Sequence, residues 1–141
     1  MNDTAKKSLR ILAISVFVFW GATAVWGQKK ATRIVLYKDS TAATVSSNLK
    51  SFNDKKVFVI KARKGQTLKI EQIIEPATAA ARLVAVSIKS SSGKTFEGAN
   101  DSCDNRREIA PTEEGDYTIT VVQCRKTDAW RGRFRLKISV K

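Results

Sequence analysis

The sequence predicts an all-β protein: a single antiparallel β-sandwich, jelly-roll-like, of about eight strands that follow an N-terminal signal peptide. Three observations predict this class. Apolar and polar residues alternate with a period of two in several short segments, turn residues separate these segments about every ten residues, and no long segment has the period of an amphipathic helix. A chain of 141 residues can hold one core of this kind but not two.

The stretch 113–125 is predicted to be the central strand. After a turn at Gly115, the apolar residues Tyr117, Ile119 and Val121 alternate with two threonines and a valine. β-branched residues on both faces are typical of a strand inside a sheet.

The last predicted strand, 134–140, has one apolar and one basic face. Four apolar residues alternate in it, without a break, with arginine, lysine and serine. We expect it to form an antiparallel pair with the central strand, through the polar connecting loop 125–132.

Six further segments have the period of a strand: 33–38, 43–49, 56–62, 67–73, 83–90 and 94–96. The serine-rich segment 43–49 is expected at a sheet edge. Four consecutive apolar residues predict that 56–62 is covered on both faces, and the turn Lys64-Gly65 predicts that it forms a hairpin with 67–73. The segments 75–82 and 98–107 are predicted loops, the first with at most one helical turn.

Residues 1–27 have the organisation of a secretory signal peptide. Three basic residues within the first ten precede an apolar run of 17 residues that ends at Gly27. We expect cleavage after Gly27, or alternatively after Ala24, which leaves a periplasmic or secreted domain of residues 28–141 with no membrane span. An uncleaved signal-anchor stays open, because 17 residues approach the shortest length that spans a bilayer.

The chain is strongly basic, with 26 lysines and arginines against 13 acidic residues. Removal of the predicted signal peptide leaves a net charge of +11. Outside the cytoplasm this balance favours lipopolysaccharide, acidic glycan or an acidic protein over nucleic acid as a partner. The alternative is that the basic residues merely keep a small domain soluble.

The chain contains two cysteines, Cys103 in a polar loop and Cys124 at the end of the central strand. In an exported chain they predict one disulfide, which would tether the loop near residue 103 to the start of the loop at residue 125. Two free thiols are the alternative, and they would fit a reducing compartment.

No residue pattern indicates catalysis, a metal or a cofactor. The chain has no histidine, which removes the commonest general base and metal ligand. The cysteines lack zinc spacing, and no phosphate-binding loop or nucleophile motif is present. Acidic clusters at 101–104 and 113–116 lack calcium-ligand spacing and are common in turns. The sequence therefore predicts a non-catalytic binding protein rather than an enzyme.

Two loops carry the candidate binding residues. The loop 125–132 combines arginines with Trp130, residue types that are enriched at interaction hot spots, and guanidinium groups pair bidentately with carboxylates. The turn 50–55 places Phe52 at an exposed tip. The alternative for Trp130 is that it packs over the end of the sandwich while the arginines are solvated.

The order of three motifs resembles the bacterial pre-peptidase C-terminal-like β-sandwich domains, over nearly all of residues 28–141. These motifs are the predicted hairpin 58–70, the strand and turn 86–93, and the stretch 111–121. Within that group the chain is most similar to the periplasmic inhibitor of g-type (goose-type) lysozyme. The similarity lies in Lys50-Ser-Phe52, Lys64-Gly-Gln66, Gly115-Asp-Tyr117, and Val122-Gln-Cys-Arg125 followed by Asp128-Ala129 and a basic last strand.

The resemblance implies a proteinaceous inhibitor that inserts loops into the cleft of a lysozyme-type glycosidase. An aromatic side chain and arginines of the last loop would face that cleft. The predicted partner-binding residues are Phe52, Arg125, Asp128, Trp130 and Arg131. Phe52 stands where the family carries tyrosine, and the last loop is longer here, with Trp130 inserted.

The alternative function is an envelope or extracellular module that binds anionic glycan, lipopolysaccharide or another protein through a basic strand face. The residues that would carry it share the outer side of the last strand: Arg131, Arg133, Arg135 and Lys137.

Overall fold

The computed structural model describes residues 30–74, 82–96 and 103–141. These residues form nine strands: β1 (Thr32–Ile34), β2 (Ala42–Leu49), β3 (Lys55–Ala62), β4 (Leu68–Gln72), β5 (Val84–Lys89), β6 (Thr95–Phe96), β7 (Arg106–Ile109), β8 (Gly115–Gln123) and β9 (Gly132–Val140). The predicted signal peptide, nearly all of the predicted loop 75–82 and the first part of the loop 98–107 lie outside the described residues. Within the described ranges, no helix has the length and apolar character needed to cross a membrane.

The strands form two sheets, which confirms the predicted all-β sandwich. One sheet has the order β1-β3-β8-β5-β6 and the other the order β2-β9-β4-β7. β1 runs parallel to β3, and the other paired strands are antiparallel.

The core lies between the sheets and consists of the alternate residues of each strand. Tyr117 and Ile119 of β8 and Leu136 and Ile138 of β9 are almost completely buried, and each such side chain contributes about 1.5–3 kcal/mol. The rings of Phe58 and Phe134, one from each sheet, meet edge to face with their centroids 6.4 Å apart. The period-two pattern therefore identified the inward faces correctly.

Two predicted strand positions are confirmed. β8 is the middle strand of the five-stranded sheet, between β3 and β5, and β2 is an edge strand of the other sheet.

Two predicted strand pairs are wrong, because both connections cross between the sheets. β8 and β9 were expected to pair, but β9 lies between β2 and β4 in the opposite sheet. The predicted hairpin of 56–62 and 67–73 is likewise split, since β3 and β4 belong to different sheets. Gly65 does make the predicted turn, with φ of +85°. Alternation shows which face of a strand is apolar, but two apolar faces can meet across a core as well as side by side in one sheet.

Three strands also differ in detail from their predictions. β1 ends at Ile34, earlier than expected. β3 buries Phe58, Ile60 and Ala62 on one face, while Val57 and Val59 on its other face are half-buried, so the strand is not covered completely on both sides. β7 lies partly inside the predicted loop 98–107 and pairs with β4. It was not predicted because most of its residues are polar.

A surface ion pair ties the parallel edge strand β1 to the centre of its sheet. The Arg33 guanidinium donates hydrogen bonds of 3.1 and 2.5 Å to the two carboxylate oxygens of Asp116, which lies beyond β3 at the start of β8. These hydrogen bonds, with the positive charge of Arg33, lower the pKa of Asp116 below its ordinary value of 3.8.

Cys103 and Cys124 form the predicted disulfide, with their Cα atoms 5.1 Å apart. Cys124 directly follows β8, and Cys103 precedes β7 of the other sheet. The bond therefore links the two layers of the sandwich at one end.

The lowered pKa of Asp116 makes part of the stability acid-sensitive. A carboxylate whose pKa is depressed in the folded state stabilises the fold fully above its unfolded pKa, and loses that contribution as the pH falls through the folded pKa. We expect wild type to be more stable than Asp116→Asn at pH 7, and this gap to close as the pH falls below 3.8. Urea unfolding from pH 7 to pH 2 measures it, with Asp39→Asn, an exposed position, as the control. A gap that stays constant over this range would contradict the assignment.

Loss of the disulfide is expected to destabilise the fold. The bond spans 21 residues, and a bridge of that span restricts the unfolded chain enough to contribute about 2–4 kcal/mol. Thermal melts should show a midpoint several degrees lower for the variant with Cys103→Ser and Cys124→Ser, and for reduced wild type. Two reactive thiols in the unfolded but unreduced exported protein would refute the pairing.

Candidate functional site

The registers of three strand pairs bring the predicted binding residues to one end of the sandwich. Leu49 pairs with Gly132, Lys55 with Val122, and Val84 with Gln123. The turn between β2 and β3, the segment before β5 and the connection from β8 to β9 therefore share that end. We call these segments, residues 50–54, 82–83 and 124–131, the loop end. It contains every predicted partner-binding residue: Phe52, Arg125, Asp128, Trp130 and Arg131.

A buried carboxylate shapes the turn that carries Phe52. Asp54 is 6% exposed; its Oδ2 accepts a hydrogen bond of 3.1 Å from the backbone N–H of Lys50 and lies 3.5 Å from Nζ of Lys56. The backbone N–H of Asp54 also donates to the carbonyl of Ser51, at 3.0 Å. Phe52 itself is half-buried, so the prediction of an exposed tip overstates its exposure. These contacts of Asp54 fix the conformation of the turn, and Phe52 remains partly exposed at the surface.

The connection from β8 to β9 is held by the side chain of Gln123. This residue is 1% exposed. Its Nε2 donates to the carbonyl of Trp130 at 2.6 Å, and its Oε1 accepts from the backbone N–H of Trp130 at 3.2 Å. One side-chain amide thereby satisfies both backbone groups of a buried residue, which would otherwise cost free energy.

The Trp130 ring packs into the core at the end of the sandwich, where it is 8% exposed. Its Nε1–H donates to the carbonyl of Leu83 at 3.4 Å, and the same carbonyl accepts from the backbone N–H of Cys124 at 2.9 Å. This arrangement agrees with the alternative prediction for Trp130, that its side chain packs over the end of the sandwich. Its direct contact with a partner stays a prediction.

The charged residues of this connection point to solvent. Arg125, Asp128 and Arg131 are all exposed. A tight turn positions the first of them, since Thr127 Oγ1 donates to the carbonyl of the disulfide-bonded Cys124 at 3.2 Å. The loop end therefore presents two arginines and a carboxylate above a fixed backbone.

Sequence reasoning missed two supporting residues, Gln123 and Asp54. Gln123 had a detectable signal, because it continues the inward series of Tyr117, Ile119 and Val121 as a polar residue at a buried position. Asp54 had none, since acidic residues are common in turns.

Of the acidic residues that were considered for catalysis or calcium, three of the four that the structure describes form ion pairs, and Glu113 is the exception. Asp116 pairs with Arg33, Glu114 lies 3.9 Å from Lys61, and Asp104 lies 3.0 Å from Arg107. Asp101 lies outside the described residues. Across the described ranges, no group of three or more histidine, cysteine or carboxylate side chains is placed to hold a metal ion.

The outer face of β9 does expose the basic residues of the alternative function. Arg133, Arg135 and Lys137 alternate with buried residues and face solvent. Binding of a glycan or lipopolysaccharide to this face stays a prediction.

No protein-family model and no curated protein sequence matches the chain, but solved structures do. The periplasmic inhibitor of g-type lysozyme (PliG) from Aeromonas hydrophila is similar with a TM-score of 0.60 and 17% identity, covering 79% of this chain and 96% of that one. PliG from Salmonella Typhimurium has a TM-score of 0.57 and 16% identity, covering 81% and 100%. The pre-peptidase C-terminal domain of a Bacillus anthracis collagenase has a TM-score of 0.50 and 16% identity, covering 81% and 97%.

These similarities agree with the resemblance seen in the order of sequence motifs, at the level of the fold. This chain has the β-sandwich fold of the periplasmic inhibitors of g-type lysozyme and of the pre-peptidase C-terminal domain.

Proposed function

We propose that this protein is a periplasmic or secreted, non-catalytic inhibitor of a lysozyme-type glycosidase, with g-type lysozyme as the expected target, and that it binds the enzyme through the loop end. The observation that carries the proposal is the strand register, which places Phe52, Arg125, Asp128 and Arg131 at the same end of the sandwich. The structural similarity to PliG, over almost the whole length of the inhibitors, supports it.

The chemistry of the loop end suits a cleft that contains carboxylates. Arg125 and Arg131 are exposed, and a guanidinium group pairs with a carboxylate through two parallel hydrogen bonds. Phe52 adds a partly exposed ring that can lose water against a sugar-binding surface. Asp128 supplies an acidic group for a basic residue at the rim of the cleft.

The contacts that fix the loop end lower the conformational entropy that is lost on binding. Asp54 fixes the turn of Phe52, and Gln123 and the disulfide fix both ends of the segment that carries Arg125 and Arg131. A surface that is already ordered loses less conformational entropy when it binds. In this proposal Trp130 packs into the core, and this packing fixes the position of the segment that carries Arg131.

The test is inhibition of purified lysozymes of the g, c and i types by the protein after removal of residues 1–27. We expect inhibition of the g-type enzyme at micromolar concentration or below. Phe52→Ala and Arg125→Ala should each raise the inhibition constant by about tenfold or more, the effect of losing a hot-spot side chain.

The opposite end of the sandwich provides matched controls. Tyr37 follows β1 and is 84% exposed, and Arg63 follows β3 and is exposed. Tyr37→Ala and Arg63→Ala should therefore inhibit as well as wild type. Absence of inhibition of all three lysozyme types would contradict the proposed function, and equal losses at both ends would contradict the proposed surface.

Gln123→Leu tests the support beneath that surface. Leucine fills the space but leaves the backbone N–H and carbonyl of Trp130 without partners, which should cost about 1–3 kcal/mol and lower the melting midpoint. Inhibition should weaken at temperatures where the variant is still folded. The control is Gln66→Leu, which removes a hydrogen bond of 2.7 Å to Arg63 in the exposed turn at the opposite end and should leave inhibition unchanged. An unaltered melting midpoint for Gln123→Leu would contradict the assigned role.

A further inference from the structure

A small cavity lined by arginines adjoins the loop end. It has a volume of about 80 Å³ and lies between the end of β4, the start of β9 and the segment before β5. Its lining includes Gln72, Ile74, Arg82, Arg133, Phe134 and Arg135. We call this cavity the arginine notch.

The backbone around the notch is fixed by a second side-chain amide. Nε2 of Gln72 donates to the carbonyl of Arg82 at 2.8 Å, and its Oε1 accepts from the backbone N–H of Val84 at 3.1 Å. On the other side, the backbone N–H of Ile73 donates to the carbonyl of Arg135 at 2.9 Å. The arginines therefore project from a rigid frame.

Gly132 allows the Arg82 guanidinium to lie against the chain at the start of β9. A Cβ at this position would be 3.4 Å from both Cζ and Nη1 of Arg82, and the φ of +145° at Gly132 also favours glycine. The Arg82 side chain thus lies over the peptide between Arg131 and Arg133. The notch and the proposed binding surface are continuous through these two arginines.

The charges in the notch favour an anion. Arg82 and Arg133 are exposed, and neither forms an ion pair with a carboxylate in residues 30–74, 82–96 or 103–141. Positive charges that share one cavity repel each other unless an anion neutralises them. The buried residue Phe134 also lines the notch.

We infer that the arginine notch binds one carboxylate of a protein partner, from an aspartate or glutamate side chain. Its 80 Å³ holds a few water molecules, and therefore a group the size of a carboxylate. Two guanidinium groups can meet such a group in the bidentate geometry that carboxylates favour. The inference rests on the proposed function in one respect: because the notch is continuous with the loop end, the carboxylate comes from the rim of the same glycosidase cleft.

The site can be tested without any enzyme. In ¹⁵N-resolved NMR spectra of the free protein, millimolar sodium acetate should shift the Nε–Hε signals of Arg82 and Arg133 in a saturable manner. Arg82→Gln should abolish the response, whereas Arg106→Gln, an exposed arginine of β7, should keep it. Because Glu75 follows Ile74 in the sequence, the titration is repeated with Glu75→Gln, which removes an intramolecular competitor. No saturable shift in either background overturns the inference, and saturation by inorganic phosphate without saturation by acetate overturns the choice of a carboxylate.

The inhibition assay then separates this inference from the proposed function. We expect Arg82→Gln and Arg82→Lys to weaken inhibition about tenfold, since lysine keeps the charge but loses the bidentate geometry. Acetate binding without inhibition of any lysozyme would leave the anion site in place, but overturn the proposed function and with it the glycosidase as the source of the carboxylate. Full inhibition by Arg82→Gln would overturn the role of the notch and leave the proposed function intact.

Discussion

The two hydrogen bonds between the Gln123 side chain and the backbone of Trp130 make the connection from β8 to β9 possible in its present form. Because these strands lie in opposite sheets, the chain must cross the end of the core, where a buried backbone loses its contacts with water. The amide supplies both missing partners. Among the described residues, no buried side-chain nitrogen or oxygen is left without a partner, so the amide of Gln123 is itself fully used in holding the crossover close to the core.

A second glutamine, Gln72, makes the same pair of side-chain hydrogen bonds to a nearby connection, which runs between the sheets in the opposite direction. Gln123 ends a strand of the five-stranded sheet and holds the segment that enters the four-stranded sheet, whereas Gln72 ends a strand of the four-stranded sheet and holds the segment that enters β5. The disulfide between Cys103 and Cys124 adds a covalent link at this end. Three cross-links between the layers thus converge beneath the loops proposed to bind a partner, and rigid support of this kind favours affinity.

Sequence periodicity predicted the inward faces and the central strand, the serines of 43–49 predicted the edge strand β2, and two cysteines behind a predicted signal peptide predicted the disulfide. Periodicity did not predict strand partners. The connections after β3 and β8 look like hairpin loops, yet both cross to the other sheet, and that choice depends on which apolar faces meet across the core. Strand β7 was missed because arginines and glutamate occupy three of its four positions. The burial of Trp130 depends on the core and on the segment before β5, and the position of Arg82 depends on Gly132, 50 residues away in the sequence.

Existing ion pairs, rather than cavity size, separate the arginines of the loop end from part of the basic residues at the opposite end. The opposite end has the larger groove, of about 620 Å³, where Val35 is 70% exposed and Tyr37 is 84% exposed. Of the four basic residues that line it, Arg33 and Lys61 already have carboxylate partners in Asp116 and Glu114, whereas Lys38 and Arg63 form no ion pair with a described carboxylate. At the loop end, in contrast, none of the carboxylates that the structure describes forms an ion pair with Arg125 or Arg131. An acidic partner therefore gains more from Arg125 and Arg131 than from Arg33 and Lys61, since the arginines of the loop end do not have to leave an existing ion pair before they bind it.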